Sequence, residues 1–191
     1  MLRFHNKTGE DITFEEQGKV ACSSRYAYNP LLFGNRPLAA NERFLFETLS
    51  DDSKWASYLR CGVTLHNPKT TDLKKIFVPS LINLDKSWVF TVFPYVAGPL
   101  GRYEIYKESN SIHSGLLTGS QIAGCISKHQ VALHISSMGG LYINVDGVQY
   151  GPLANNIPVG LKDIYVVVYG TQKMRIIDGW GRYQLVKYSV L

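Results

Sequence analysis

The chain has little of what membrane proteins, disulfide scaffolds and metalloenzymes are built from. No apolar run approaches the roughly 18 residues that a membrane-crossing helix needs. The start, Met1-Leu2-Arg3-Phe4-His5-Asn6, has no apolar stretch of the signal-peptide kind. Cysteine is scarce: Cys22, Cys61 and Cys125 lie far apart, suit no metal-ligand spacing and, being three, leave one outside any disulfide scheme. A reducing, cytoplasmic setting is the expectation. Asn6-Lys7-Thr8 matches a glycosylation acceptor, but without a secretory signal it reads as a polar turn before Gly9.

Charge of one sign is never concentrated. The net charge is +5 and no block of five basic residues occurs, so a nucleic-acid partner is disfavoured. Lys69, Lys74 and Lys75, and Lys173, Arg175, Arg182 and Lys187, form loose groups of the kind found on solvated faces; an anionic partner is the minor reading.

Catalytic signatures are equally sparse. The five histidines, His5, His66, His113, His129 and His134, stand singly, with no His-x-x-x-His and no zinc spacing with a cysteine. There is no Gly-x-Ser-x-Gly elbow, no phosphate-cradling glycine loop and no dinucleotide fingerprint. In Gly98-Pro99-Leu100-Gly101, Pro99 removes a donor that a phosphate nest would need. A triad assembled from distant residues would escape such a search, because triads are defined by geometry. The expectation is a non-catalytic protein with no cofactor and no metal.

What is present is a folding pattern. Hydrophobic residues make up 45% and charged residues 18% of 191, enough to close one apolar core without a disordered tail. No helical stripe, internal repeat or linker interrupts the chain, so one domain is expected. Alternation of period two is clear instead. Leu59, Cys61, Val63 and Leu65 share one face of a strand, with Tyr58, Arg60, Thr64 and His66 on the other, expected to meet water. Val131, Leu133 and Ile135, and Leu141, Ile143 and Val145, repeat the pattern. Phe44-Leu45-Phe46 and the runs 88–96, 164–169, 174–177 and 183–190 add β-branched and aromatic segments.

Turn signals separate them at Asn29-Pro30, Gly34-Asn35-Arg36-Pro37, Asn67-Pro68, Gly98-Pro99, Gly139-Gly140, Asp146-Gly147 and Gly151-Pro152. Asp146-Gly147 is the sharpest, since a two-residue hairpin needs positive φ and Asp-Gly supplies it; it should join 141–145 to 148–150. Many short strands with such turns predict an all-β fold, an antiparallel β-sandwich of two packed sheets.

An ordered set of residues runs through this pattern. It comprises Phe4-His5, Gly9, Ile12, Phe33, Arg36-Pro37-Leu38, Glu42, Trp55, Leu59, Gly62-Val63-Thr64, His66, Pro68, Asp146-Gly147, Gly151, Ile157-Pro158 and Tyr169-Gly170. In order and spacing it resembles one Neuralized homology repeat, covering residues 2–178. Residues 179–191 lie beyond the repeat and are expected to add a strand. The chain departs from the family where Val-Val-Asp-x-Tyr-Gly is usual: Val167 holds the acidic position. Asp146 replaces an asparagine, Ala56-Ser57 a Ser-Gly pair, and 93–114 follows the family poorly. The resemblance implies a sandwich that recognises short peptides, often asparagine-containing, by loops at one end. Members commonly carry a RING or SOCS box elsewhere; this chain has too few Cys and His for a RING, which implies an isolated substrate-binding domain, an adaptor in a ubiquitin-ligase pathway, or a part of something larger.

Arg36, Trp55, His66, Asn67 and Tyr169 are the candidate ligand-binding residues. Arg36 either pairs with a carboxylate in its own loop or offers its planar fork to a ligand. Trp55 is either a core plug or an exposed anchor. His66 and Asn67, with Asn29 and Asn35, stand in or beside loops, where asparagine serves equally as turn former and as amide-recognising group. Tyr169 would supply apolar contact. Two other readings stay open. One is an anionic (phosphoinositide) membrane surface, using Lys74-Lys75 or Lys173 with Arg175. The other is a lectin-like or nucleic-acid-binding sandwich, using Tyr26, Tyr28, Tyr103 and Tyr106 for stacking.

Overall fold

The computed structural model describes residues 1–9, 12–23, 29–49, 59–72, 86–97, 100–107, 110–116, 129–170 and 173–178, with backbone alone at 91, 93–97, 100–107 and 110–116. Trp55, Tyr58, Lys74-Lys75, Cys125, Gly98-Pro99, Tyr26, Tyr28, the run 183–190 and the tail 179–191 lie outside the described residues, as do the side chains of Tyr103 and Tyr106.

Among these residues the chain forms thirteen strands and one short 3-10 turn at Glu16–Gly18. The strands are β1 (Ile12–Glu15), β2 (Val20–Ser23), β3 (Leu31–Phe33), β4 (Arg43–Leu49), β5 (Leu59–Thr64), β6 (Ser87–Ala97), β7 (Leu100–Lys107), β8 (Asn110–Leu116), β9 (Gln130–Ile135), β10 (Leu141–Val145), β11 (Val148–Ala154), β12 (Tyr165–Tyr169) and β13 (Lys173–Ile176). They make a seven-stranded sheet, β1-β2-β13-β4-β9-β10-β11, and a six-stranded sheet, β3-β12-β5-β6-β7-β8. Neighbours in both sheets run antiparallel. The all-β antiparallel sandwich read from alternation is the fold.

The core forms where alternating faces meet. β4 turns Phe44, Phe46 and Thr48 inward, while β9 and β10 add Leu133, Ile135, Leu141 and Ile143. The six-stranded sheet faces them with Leu59, Cys61, Val63, Phe90, Val166 and Val168. Each large apolar side chain so buried contributes about 1.5–3 kcal/mol before chain entropy is subtracted. Aromatic rings sit at its centre: Phe44 meets Phe4 edge-on at 6.1 Å and Phe46 at 6.2 Å.

One expectation needs correction. The outward face of β5 does not simply meet water, because Gly62 and Thr64 are buried there. The reason is a second apolar cluster on that outer face, built from Leu31, Phe33, Val89, Tyr165 and Val167, with Tyr169 packed against it. β12 is consequently buried on both faces and reads as a continuous apolar run. The N-terminal segment ties onto the same edge, with Phe4 bridging Gly34 and the His5 amide donating to the Phe33 carbonyl.

A second difference concerns Gly151-Pro152, which reads as a turn but lies inside β11. β11 is the outermost strand of its sheet, where proline's missing N–H costs no ladder bond. The register shifts opposite it, between Leu141 and Ile143. The Asp146-Gly147 hairpin is as expected, both residues having positive φ.

Two histidines make stability depend on pH. His5 is held below its ordinary 6.5 chiefly by burial, aided by Lys69 and Lys7, while its Nδ1 accepts the Lys7 amide. His134 is lowered by burial and by Arg43, and stacks on Tyr142 at 4.8 Å. Below 6.5 the unfolded chain therefore takes up protons first, and stability falls as pH drops. Glu42, lowered chiefly by its hydrogen bond with Arg36, adds a second loss below 4.5. Melting temperature should fall between pH 7.5 and pH 5.5, and fall less in His134→Gln; a rise over that range would contradict the assignment.

Candidate functional site

The sandwich has two ends, and the described candidate residues, Arg36, His66, Asn67 and Tyr169, are divided between them. At one end the β3–β4, β9–β10 and β11–β12 connections gather, with residues 65–72 and 86 of the β5–β6 connection. At the other, β4 ends, β5 begins, β12 ends and the β10–β11 hairpin turns. Along β12 the two ends are four residues apart, Tyr165 pairing with Thr64 and Tyr169 with Arg60. At ~3.3 Å per residue this is about 13 Å.

Arg36 organises the first end. Its Nη1 donates to Glu42 Oε2 at 2.8 Å and its Nη2 to Glu42 Oε1 at 2.5 Å, a two-pronged pair, and Nη1 also donates to the Pro37 carbonyl. Glu42 Oε2 accepts the Ala39 amide as well. The charge partners hold each other ionised: Glu42 raises the Arg36 pKa, and Arg36 lowers that of Glu42. This is the pairing within its own loop that the sequence offered as one of two readings. Even so, 40% of the Arg36 side chain remains exposed. The pair closes the loop, and at that exposure is worth less than about 1 kcal/mol.

Three loops are stitched together around it. The Leu38 amide donates to the Ile164 carbonyl and the Asn41 amide to that of Ile135, both at 2.7 Å. Asn41 Oδ1 accepts the Ser137 amide at 3.1 Å. The Ile157 amide donates to the Gly139 carbonyl at 3.1 Å. A Cβ on Gly139 would stand 2.5 Å from the Ile157 carbonyl oxygen, and its φ is +76, so this crossing requires glycine.

His66 and Asn67 begin the β5–β6 connection at the same end. The His66 amide donates to Thr64 Oγ1, itself 2.7 Å from Ser87 Oγ. Asn67 acts as a turn former: Oδ1 accepts the Lys69 amide, and its carbonyl accepts Thr71 twice, through amide and hydroxyl. Lys7 Nζ then clasps the turn from outside through the carbonyls of Lys69 and Thr71. Asn35 likewise serves the fold, exchanging hydrogen bonds with the Arg3 backbone.

Tyr169 belongs to the opposite end. Arg60 lies over its ring, 5.7 Å from the centroid, and burial pushes its hydroxyl pKa up while Arg60 pulls it down. Here too lies a pairing that sequence reading missed. His129 Nδ1 sits 2.5 Å from Asp146 Oδ2, and Asp146 Oδ1 accepts the Gln130 amide. His129 and Thr48 also exchange backbone and side-chain bonds. Asp146 thus turns the hairpin and anchors the start of β9; its signal was visible only as Asp-Gly. Among the described residues no three His, Cys, Asp or Glu are placed to hold a metal ion.

The sequence profile of the Neuralized family matches residues 4–178. This chain belongs to the Neuralized family. The human Neuralized-like protein 2 is 30% identical over 91 residues, which are 47% of this chain and 32% of that protein. The mouse protein of the same name matches to the same extent. The match thus spans about a third of those relatives' length. Among solved structures, the Drosophila melanogaster neuralized-NHR1 domain superposes with a TM-score of 0.63 at 16% identity, covering 93% of this chain and 98% of that one. The solution structure of the NEUZ (NHR) domain in Neuralized from the same fly gives 0.65 at 16% identity, covering 93% and 91%. At that identity the superposition speaks for the fold.

The structure gives physical reasons for several residues that mark this Neuralized domain. Phe4 joins the central aromatic group and the His5 backbone pairs with β3. Gly62 lets β6 approach β5, and Asp146 holds His129. Val167, where the family is usually acidic, lies in the outer apolar cluster beside Leu31 and Phe33.

Proposed function

We propose that this Neuralized domain is a non-catalytic protein-interaction module that recognises short peptide motifs, and that it serves as a substrate adaptor in a ubiquitin-ligase pathway in the cytoplasm. The observation that carries the reading is membership of a family of interaction domains, combined with an end of the sandwich where hydrogen-bonded loops present side chains on a rigid support. Preordered loops favour recognition because little conformational entropy is lost on docking. Arg36, His66 and Asn67 share that end. Tyr169, at the opposite end, is proposed as a separate apolar contribution, and Trp55 as a further apolar contact.

Titration of fluorescent asparagine-containing peptides tests it. Saturable binding is expected, weakened several-fold by Arg36→Ala or His66→Ala with the fold intact by circular dichroism. Absence of binding across a broad peptide array would count against the reading.

The anionic-membrane alternative draws less support. Lys173 pairs with Glu15, and Arg175 with Glu16 and Glu47, so these cations are locally balanced. No helix among the described residues is long and apolar enough to cross a membrane.

A further inference from the structure

The β10–β11 hairpin turns on an aspartyl-glycine pair, Asp146-Gly147, and such a pair carries its own chemistry. The glycine nitrogen can attack the aspartyl side-chain carbon, since glycine brings no Cβ to block the approach. A C–N bond forms, one carboxyl oxygen leaves as water with the amide hydrogen and a proton from solvent, and a five-membered succinimide results. Water then reopens the ring. Attack at the side-chain carbonyl restores aspartate, whereas attack at the main-chain carbonyl leaves isoaspartate, in which the chain runs through the side-chain carbon and the α-carboxylate is free. The hydrogen bonds of this hairpin occupy every atom that the first step needs. The Gly147 amide donates to Asn144 Oδ1 at 3.0 Å. Asp146 Oδ1 accepts the Gln130 amide at 2.9 Å, and Oδ2 lies 2.5 Å from His129 Nδ1. A carboxylate only accepts, so Nδ1 carries the hydrogen. His129 is buried and held from β4: its amide donates to Thr48 Oγ1 and its carbonyl accepts the Thr48 amide.

We infer that Asp146-Gly147 is a latent isoaspartate site, and that the His129 and Asn144 side chains keep it closed while the hairpin is folded. To bring its side-chain carbon onto the Gly147 nitrogen, Asp146 must leave both His129 and the Gln130 amide, and Gly147 must leave Asn144. Opening of the hairpin breaks all three bonds together and exposes the pair to its own reaction. The product does not return to the starting fold. Isoaspartate adds a backbone carbon to a two-residue turn, which sets Val145 and Val148 out of register, and it removes the carboxylate that His129 holds. The hairpin thereby records its own opening as a covalent change. This site lies at the end opposite Arg36, so the inference stands apart from the peptide-recognition reading.

The test incubates the wild-type chain, His129→Gln and Asn144→Ala at neutral pH, at a temperature where circular dichroism shows each to be folded, beside a synthetic peptide of residues 142–150. Digestion, chromatographic separation and electron-transfer fragmentation then measure isoaspartate at position 146 over time. The peptide, which has no clasp, sets the unrestrained rate. The expected rate in the wild type is on the order of a hundredfold below it, the effect of three ordinary hydrogen bonds acting together. Each variant is expected to raise the wild-type rate roughly fivefold, the factor that one such bond sets. A wild-type rate equal to that of the peptide overturns the proposal. An unchanged rate in either folded variant overturns the part assigned to that residue, and a slower rate in His129→Gln would make His129 a promoter of the reaction instead of its restraint. Should His129→Gln fail to fold, Asn144→Ala and the comparison with the peptide decide.

Discussion

Gly62→Ala is expected to prevent the sandwich from closing. A Cβ at this position would stand 2.0 Å from the Trp88 carbonyl oxygen and 2.8 Å from the Val89 Cα. Both obstacles are backbone, so no rotamer change relieves them. β5 and β6 would have to separate where Gly62 pairs with Val89, and β12, which pairs with Gly62 through Val167, would be drawn along. A misfit that moves backbone costs about 1–3 kcal/mol, occasionally more. A domain with about 5–15 kcal/mol of total stability loses much of it. Gly34→Ala is the control, since the nearest atom there is 3.4 Å away and belongs to the Phe44 side chain. Circular dichroism melts should show Gly34→Ala close to wild type and Gly62→Ala strongly destabilised or unfolded. Equal melting temperatures would contradict the placement of β6 against β5.

Phe44→Ala is the second large effect. Phe44 is fully buried at the centre of the core, in contact with Phe4 from the N-terminal segment and Phe46 from its own strand. Truncation removes the transfer free energy of the ring and leaves a cavity that two sheets fixed by hydrogen bonds cannot collapse into. The usual cost is about 3–5 kcal/mol. In a domain of this size that corresponds to a fall in melting temperature of roughly 6–20 °C. Leu45→Ala, whose side chain lies on the opposite face of the same strand, should cost clearly less. Similar losses at both positions would mean that β4 is registered wrongly, because a shift of one residue exchanges its faces.

The fold was legible wherever one face of a strand is dry and the other wet. β9 and β10 alternate in sequence, and the core takes Leu133 and Ile143 accordingly, whereas β5 alternates in sequence but has its outer face covered as well. β3 is only three residues between turn signals, too short for a period to register, and β1 and β2 carry mixed faces. The outer apolar cluster was hidden for a different reason. Leu31, Phe33 and Val167 look like ordinary strand residues, and nothing local says that both faces of their sheet are covered.

The candidate site was legible residue by residue but not as a place. Arg36 carried two readings, and the decision lay six residues on in Glu42, whose carboxylate reaches it only because the loop folds back. Tyr169 and Arg36 are separated because strand register, which sequence does not give, puts Tyr169 opposite Arg60.

The most direct test of the central claim, that one end of this sandwich is a preordered docking surface, is a nuclear magnetic resonance titration of the labelled domain with a binding asparagine-containing peptide. Amide shifts should concentrate in residues 34–42, 65–71, 136–140 and 155–164, leaving the 146–147 hairpin unmoved. Shifts centred on Arg60, Tyr169 and the hairpin, with residues 136–164 silent outside it, would contradict the account.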